Sequence, residues 1–230
     1  MKTLGELDAP GDGAWEQLRA ELASSHVSIR IIEAEVSEGG ECLRRLQVST
    51  QSRLGSVARY SAGIVVESGW LKVLGAGSSV SGLPGIIEMN GLGIAGAPPV
   101  PALLVGFDVL GGRFELNGPD SMSIGRPGRI GDVCYFAPDT LEWESLDFGY
   151  GAWLSWIAAG RTPDFYQDFR WSGWREEIES LGADLCLSFY PYLFSAEAQS
   201  NIAATSRKPA PAREIFALHE SFARQFGTLA

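Results

Sequence analysis

Residues Leu103–Gly118, LLVGFDVLGGRFELNG, and Gly128–Ala159, GRIGDVCYFAPDTLEWESLDFGYGAWLSWIAA, carry the pattern from which the fold is read. Leu103 to Leu110 and Phe114 to Asn117 flank Gly111-Gly112, a pair free to take the positive φ angles of a tight hairpin turn. Asp132 to Ala137 and Glu142 to Leu146 are short aromatic and β-branched runs. Pro138-Asp139-Thr140 between them predicts a second hairpin. From Gly149 the apolar period lengthens from two to about 3.6, which sets Trp153, Leu154, Trp156 and Ile157 on one face of a short helix. The predicted unit is a four-stranded meander capped by an aromatic helix.

Upstream, Gly63–Glu67 and Trp70–Leu74 around Ser68-Gly69 predict a third hairpin. The segment from Gly75 to Pro101 is rich in Gly and Pro yet carries Leu83, Ile86, Ile87, Met89, Leu92 and Ile94. It is expected to pack as a cover over the core, the alternative being a ligand lid. Trp15, Leu18 and Leu22 space an amphipathic helix, and Val27, Ile29 and Ile31 alternate as a half-buried strand with His26 on its polar side. A short helix is expected over Glu41 to Leu46, then strand-like residues Gln47 to Thr50. Downstream, Thr162-Pro163 opens a helix carrying Phe165 and Phe169, and Ser172 caps another with Trp174, Ile178 and Leu181, stopped by Gly182. In LCLSFYPYLF, Pro191 restricts the chain to an edge or a buried loop. Pro209 and Pro211 precede a last helix whose stripe is Ile215, Leu218, Phe222 and Phe226. Hairpins in clusters with helices at the ends predict one α+β domain over 1–230: an antiparallel sheet of consecutive hairpins under aromatic-rich helices. The alternative is an internal boundary within 75–101.

The formal net charge of -10 and pI near 4.7 make nucleic acid and anionic membrane surfaces poor partners, because such affinity comes from cations that neutralise phosphates. MKTLGELDAPGDG has no apolar core behind its lysine, and no run approaches the ~20 apolar residues of a membrane span, so a soluble cytoplasmic protein is expected. Cys42, Cys134 and Cys186 show no C-x-x-C spacing, which argues for reduced thiols and against a disulfide framework or zinc site. Seven Trp and eleven Phe are more aromatic surface than one domain of this size readily hides, and a homodimer or weaker self-association is expected, the alternative being that all of them fill the core.

Gly75-Ala76-Gly77 follows a strand as a dinucleotide fingerprint would, but Val80 stands where the third glycine belongs and Pro84 interrupts the helix. No cofactor is expected. Only His26 and His219 could serve a triad, and there is no G-x-S-x-G elbow, so no catalytic residue is assigned. His219 reads as a surface or partly buried structural histidine, and Cys134 as sheet filling. Glu142 and Glu144 share one face of a strand, ~7 Å apart, with Leu141, Trp143 and Ser145 on the other. They lack the further ligands a metal would need, and no metal site is expected. Glu176, Glu177 and Glu179 read as the solvated side of a helix. Glu142, Trp143, Glu144 and Asp147 are the candidate protein-binding set. In Ser206-Arg207-Lys208-Pro209-Ala210-Pro211, Arg207 and Lys208 are the candidate anion site, with a plain helix-entry loop as the alternative.

Gly63-Ile64-Val65-Val66, Gly69-Trp70-Leu71, Asp108-Val109-Leu110-Gly111-Gly112, Tyr135-Phe136-Ala137-Pro138-Asp139, Trp171 with Trp174-Arg175, and Ser188-Phe189-Tyr190-Pro191 together resemble an uncharacterised bacterial family of domain-of-unknown-function type. The resemblance spans nearly the whole chain. Gly131-Asp132-Val133 through two strands to Gly149–Leu154 also resembles the carboxy-terminal half of SUKH domains, and that likeness implies a non-enzymatic immunity protein against secreted toxins. The leading expectation is a protein-binding module whose acidic sheet face recognises a basic partner. The competing class is a hydrolase or transferase acting on an anionic small molecule, with Arg207 and Lys208 as clamp and Asp108, Glu142 or Glu144 as base.

Overall fold

The computed structural model describes residues 1–8, 13–93 and 100–229. Ile94, read above as part of the apolar cover, lies outside them, as does the rest of 94–99. The first elements are α1 (Leu4–Leu7), α2 (Ala14–Ala23), β1 (Ile29–Glu33), α3 (Val36–Leu46), α4 (Arg53–Tyr60), β2 (Ser61–Val66), β3 (Leu71–Leu74) and α5 (Ile86–Met89). Then come β4 (Ala102–Asp108), β5 (Arg113–Asn117), β6 (Asp132–Ala137), β7 (Glu142–Gly149), α6 (Tyr150–Ala158), α7 (Thr162–Phe165) and α8 (Trp174–Glu179). The chain closes with β8 (Leu185–Tyr190), α9 (Ala196–Ser200), β9 (Ser206–Pro211) and α10 (Ala212–Phe226).

Strands β1 to β7 form one antiparallel sheet in sequential order, and β8 pairs with β9 separately. The predicted α+β class holds, and the three predicted hairpins are β2–β3, β4–β5 and β6–β7. Gly111 takes a φ of 84° at the β4–β5 turn, where only a residue without a Cβ sits unstrained.

Register sets Ile64, Val73, Gly106, Phe114 and Tyr135 side by side across β2 to β6. Trp153 of α6 packs on this face. A Cβ on Gly106 would meet its Cη2 at 2.7 Å, and its ring centroid lies 5.0 Å from that of Phe114. Against Ala, a fully buried tryptophan contributes on the order of 3–5 kcal/mol. Helices α2 and α4 join α6 in this layer, and Trp15, Leu18 and Leu22 of α2 are buried as their spacing predicts. The opposite face carries Lys72, Phe107, Arg113, Phe136 and Trp143 in register. Helix α10 and the β8–β9 pair cover it: Phe216 lies edge-on to Phe107 at 5.8 Å, and Lys72 Nζ donates to the Leu185 carbonyl at 3.0 Å.

Several local expectations are corrected. Helix α3 starts at Val36, five residues before the expected Glu41, and runs through Gly39-Gly40. Gln47–Thr50 is not a strand but leads into α4, which the sequence reading missed. Helix α8 has Gly173, not Ser172, at its N-cap, and it ends at Glu179 with Ser180 as C-cap, before Gly182. Ser206–Pro211 is strand β9 in place of a helix-entry loop, and its prolines are tolerated because only β8 pairs with it. In α10 the buried face is Ile215, Phe216, His219 and Ala223, which leaves Phe226 exposed. Of the Gly/Pro-rich segment, Leu83 and Ile86 are buried, Leu83 against the bare backbone of Gly63.

Candidate functional site

Strand β7 is an edge of the seven-stranded sheet, hydrogen-bonded to β6 alone. Alternation turns Glu142 and Glu144 outward, where both are exposed. A register shift opposite Asp132–Cys134 bends the strand, and Asp147 takes a φ of 57° there. Ser145 holds the bulge: its hydroxyl donates to Asp147 Oδ1 at 2.9 Å and accepts from the Asp147 amide at 3.1 Å. Bulges and outward charges of this kind keep an edge from pairing with a stray strand. Among the described residues, none of Glu142, Glu144 and Asp147 forms an ion pair. The Glu144 carboxyl is pushed up by partial burial and by its like-charged neighbours Asp139 and Glu142.

Trp143 stands on the other face of β7, away from the carboxylates it flanks in sequence. Its ring meets Phe136 at 5.2 Å, and the Arg126 guanidinium lies 3.6 Å above its centroid. Behind it opens a cleft of about 640 Å³ between β5, β7, α10 and the chain around Gly125. Arg113 and Arg126 line it with side chains only 9% and 6% exposed. Arg126 Nη1 donates to Glu115 at 2.9 Å and Nε to Asn117 at 3.0 Å, while Arg113 pairs with Glu220. Arg113 Nε and Arg126 Nη2 are buried without an acceptor, at a cost of about 1–3 kcal/mol each. Burial pulls the Arg126 guanidinium below its usual range, only partly offset by Glu115. The sequence reading missed both arginines. The available signal was Arg113 at an inward position of an apolar strand.

The remaining candidates are placed as follows. Arg207 is turned inward: Nε donates to Glu177 at 3.1 Å, Nη1 to the Thr205 carbonyl at 3.0 Å, and the guanidinium lies 4.5 Å from the Trp171 centroid. Glu177, expected on a solvated face, also accepts from Trp171 Nε1 at 2.8 Å. Lys208 is exposed, so the pair does not form one clamp. Asp108 is fully buried and accepts from the Tyr135 and Tyr166 hydroxyls at 2.7 and 2.9 Å and from the Leu110 and Gly112 amides at 2.9 and 2.8 Å. Burial raises its pKa, and these donors tie it to the β4–β5 turn and to Tyr135 and Tyr166. His219 is buried with Nδ1 unpartnered and is pushed down to about 4, first by burial and then by Arg113. His26 is exposed but lies in the bend before β1, which starts only at Ile29, and its ring packs against Gly160. All three cysteines are buried and free, and burial pushes Cys42 and Cys186 up to about 12, far from a thiolate at neutral pH. No helix is long and apolar enough to cross a membrane among the described residues.

The fold and site together define an α+β protein with an acidic sheet edge, three buried free cysteines and a buried, hydrogen-bonded Asp108. The family described as "Protein of unknown function DUF2625" matches residues 4–215, and the chain belongs to that family. It is 33% identical over 228 residues to the uncharacterized protein YbfG of Escherichia coli K12, covering 98% of this chain and 96% of that protein. It is 32% identical over 197 residues to an uncharacterized protein of Haemophilus influenzae Rd, covering 84% and 83%. No solved structure matches the chain.

Proposed function

We propose that the protein is a non-catalytic, cytoplasmic protein-binding module whose β7 edge takes a basic partner. The observation that carries this reading is the unneutralised set Glu142, Glu144 and Asp147 on an edge strand, with Asp139 close enough to raise the Glu144 pKa. Like charges held together cost free energy in the isolated chain. A partner's Lys and Arg side chains relieve that cost, speed encounter and exclude acidic competitors. Trp143, a member of the candidate protein-binding set, lies on the opposite face, so contact with the acidic edge is mainly electrostatic. Toxin neutralisation of the SUKH kind is one form of this function, and a homodimer is its proposed resting state.

Affinity capture from the native host tests the reading. The wild-type chain is expected to retain a basic protein that is released as salt rises toward ~1 M, where the Debye length is about 3 Å. The Glu142→Lys, Glu144→Lys double variant should keep its melting temperature and bind the partner at least about tenfold more slowly. Salt-insensitive capture of an acidic protein, or equal capture by the double variant, would sink the acidic edge as the recognition surface.

A further inference from the structure

The cleft behind β7 is a second place where the molecule departs from a satisfied interior. Its volume of about 640 Å³ suits a small molecule, since ligand pockets commonly hold roughly 300–1,000 Å³. One part of the wall is polar: Arg113 and Arg126, each more than nine-tenths buried, with Arg224 also lining it. Another part is apolar: Trp143, Ile124 and Leu229.

The hydrogen-bond count in that wall is unbalanced. Glu115 is shared between Arg126 at 2.9 Å and Arg113 at 3.7 Å, and Glu220 is shared between Arg113 and Arg224. Two carboxylates thus serve three guanidinium groups, and a buried N–H of Arg113 and another of Arg126 remain without an acceptor. Native interiors rarely leave such donors unpaired unless something else supplies the acceptor. We propose that this cleft binds a small organic monocarboxylate with an apolar or aromatic body, its carboxylate taken by Arg113 and Arg126 and its body laid against Trp143.

Charge disfavours a dianion. Only Glu115 and Glu220 pair with the three arginines, but Glu142 also lines the cleft, so a phosphate dianion would add two charges beside an unpaired carboxylate in a chain already at -10. The planar fork of arginine matches a carboxylate in two-point fashion, and the apolar lining rewards an organic body that inorganic anions lack. The lowered pKa of Arg126 agrees with a cation whose burial its own protein partners only partly offset. Glu142 is shared between this cleft and the acidic edge, whereas Glu144 and Asp147 do not line the cleft, so benzoate binding is measured on the wild-type chain with no basic partner present.

The test titrates the full chain with benzoate, its neutral isostere benzamide and inorganic phosphate, by calorimetry and tryptophan fluorescence. Benzoate is expected to bind with a Kd near or below about 1 mM, and benzamide and phosphate at least about tenfold more weakly. Arg126→Lys, which keeps the charge and loses the fork, should weaken benzoate about tenfold, and Trp143→Phe should abolish the fluorescence response. Benzamide or phosphate binding as tightly as benzoate overturns the carboxylate assignment. No benzoate binding at about 10 mM, or unchanged affinity in Arg126→Lys, overturns the site. Should Arg126→Lys fail to fold, the comparison of the three probes on the wild-type chain decides alone.

Discussion

His219 shows how one residue ties the β4–β5 turn to the covering helix. Its ring fills the space a side chain at Gly111 would need, with Cε1 at 2.8 Å from the position of a Cβ there, and it lies parallel to Phe136. The charged group that acts on it is Arg113 on β5, itself paired with Glu220. Because its folded pKa is depressed to about 4 while an unfolded histidine titrates near 6.5, the unfolded chain binds the extra proton first as pH falls. Stability from this group is therefore complete above pH ~6.5 and is lost progressively down to about 4, with a full size of about 3 kcal/mol. Urea unfolding at pH 7 and pH 4.5 should show the wild type losing about 2–3 kcal/mol more than His219→Gln. Asp108, shifted the opposite way, contributes to both proteins and cancels in the difference. Equal losses in the two proteins would place the ring in contact with water.

At the scale of elements, α3 and α4 lock through backbone. A Cβ on Gly39 of α3 would sit 2.0 Å from the Arg59 carbonyl oxygen of α4, and one on Gly55 of α4 would meet the Ser49 carbonyl at the same distance. Helix propensity alone favours Gly→Ala by about 1 kcal/mol. At Gly39 the clash outweighs it, because two helix backbones must separate, and Gly39→Ala should destabilise by about 2 kcal/mol or more. Gly5 in α1 has nothing within 4 Å of its missing Cβ, so Gly5→Ala should be neutral or stabilise by up to about 1 kcal/mol. Thermal melts of the two variants compare the terms directly. A Gly39→Ala protein as stable as the wild type would show that the helices can move apart at no cost.

Across the whole molecule, one hydrophobic cluster runs from Trp15 in α2 to Phe216 in α10, crossing the β3–β4 pairing that joins the two sides of the Gly/Pro-rich segment. That cluster absorbs Trp15, Trp70, Trp153, Trp171 and Trp174, leaving an aromatic run at one end of the chain less covered. There Phe194 packs at 5.1 Å from Phe222 and 5.6 Å from Phe226, with Tyr192 alongside, while Phe226 and Tyr190 are 59% and 70% exposed. This end is where the proposed homodimer would bury aromatic surface. Two copies at -10 each repel, so self-association should strengthen with salt, opposite in sign to binding of a basic partner. Light scattering at micromolar concentration should give about twice 24.7 kDa, and Phe226→Asp should return the monomer mass without lowering the melting temperature. A wild-type mass near 24.7 kDa at every salt concentration would remove the dimer.

The hairpins, the aromatic helix α6, the buried stripe of α2 and the outward set of Glu142 and Glu144 were legible in the sequence. Turn chemistry and side-chain period belong to residues adjacent in the chain, and they act whatever the rest of the molecule does. Tertiary structure alone decided the continuation of α3 through Gly39-Gly40, since Gly39 faces a carbonyl on α4 and Gly40 the Leu4 side chain of α1. It also decided that Arg207-Lys208-Pro209 is a strand, because β8 supplies the partner. Trp143 and Glu144 are neighbours in sequence, yet the pleat sends one to a cleft with Arg126 and the other to solvent. Arg113, Arg126 and His219 follow the same logic. A charge or ring is costly or harmless according to what lies across space from it, and a linear pattern does not contain that distance.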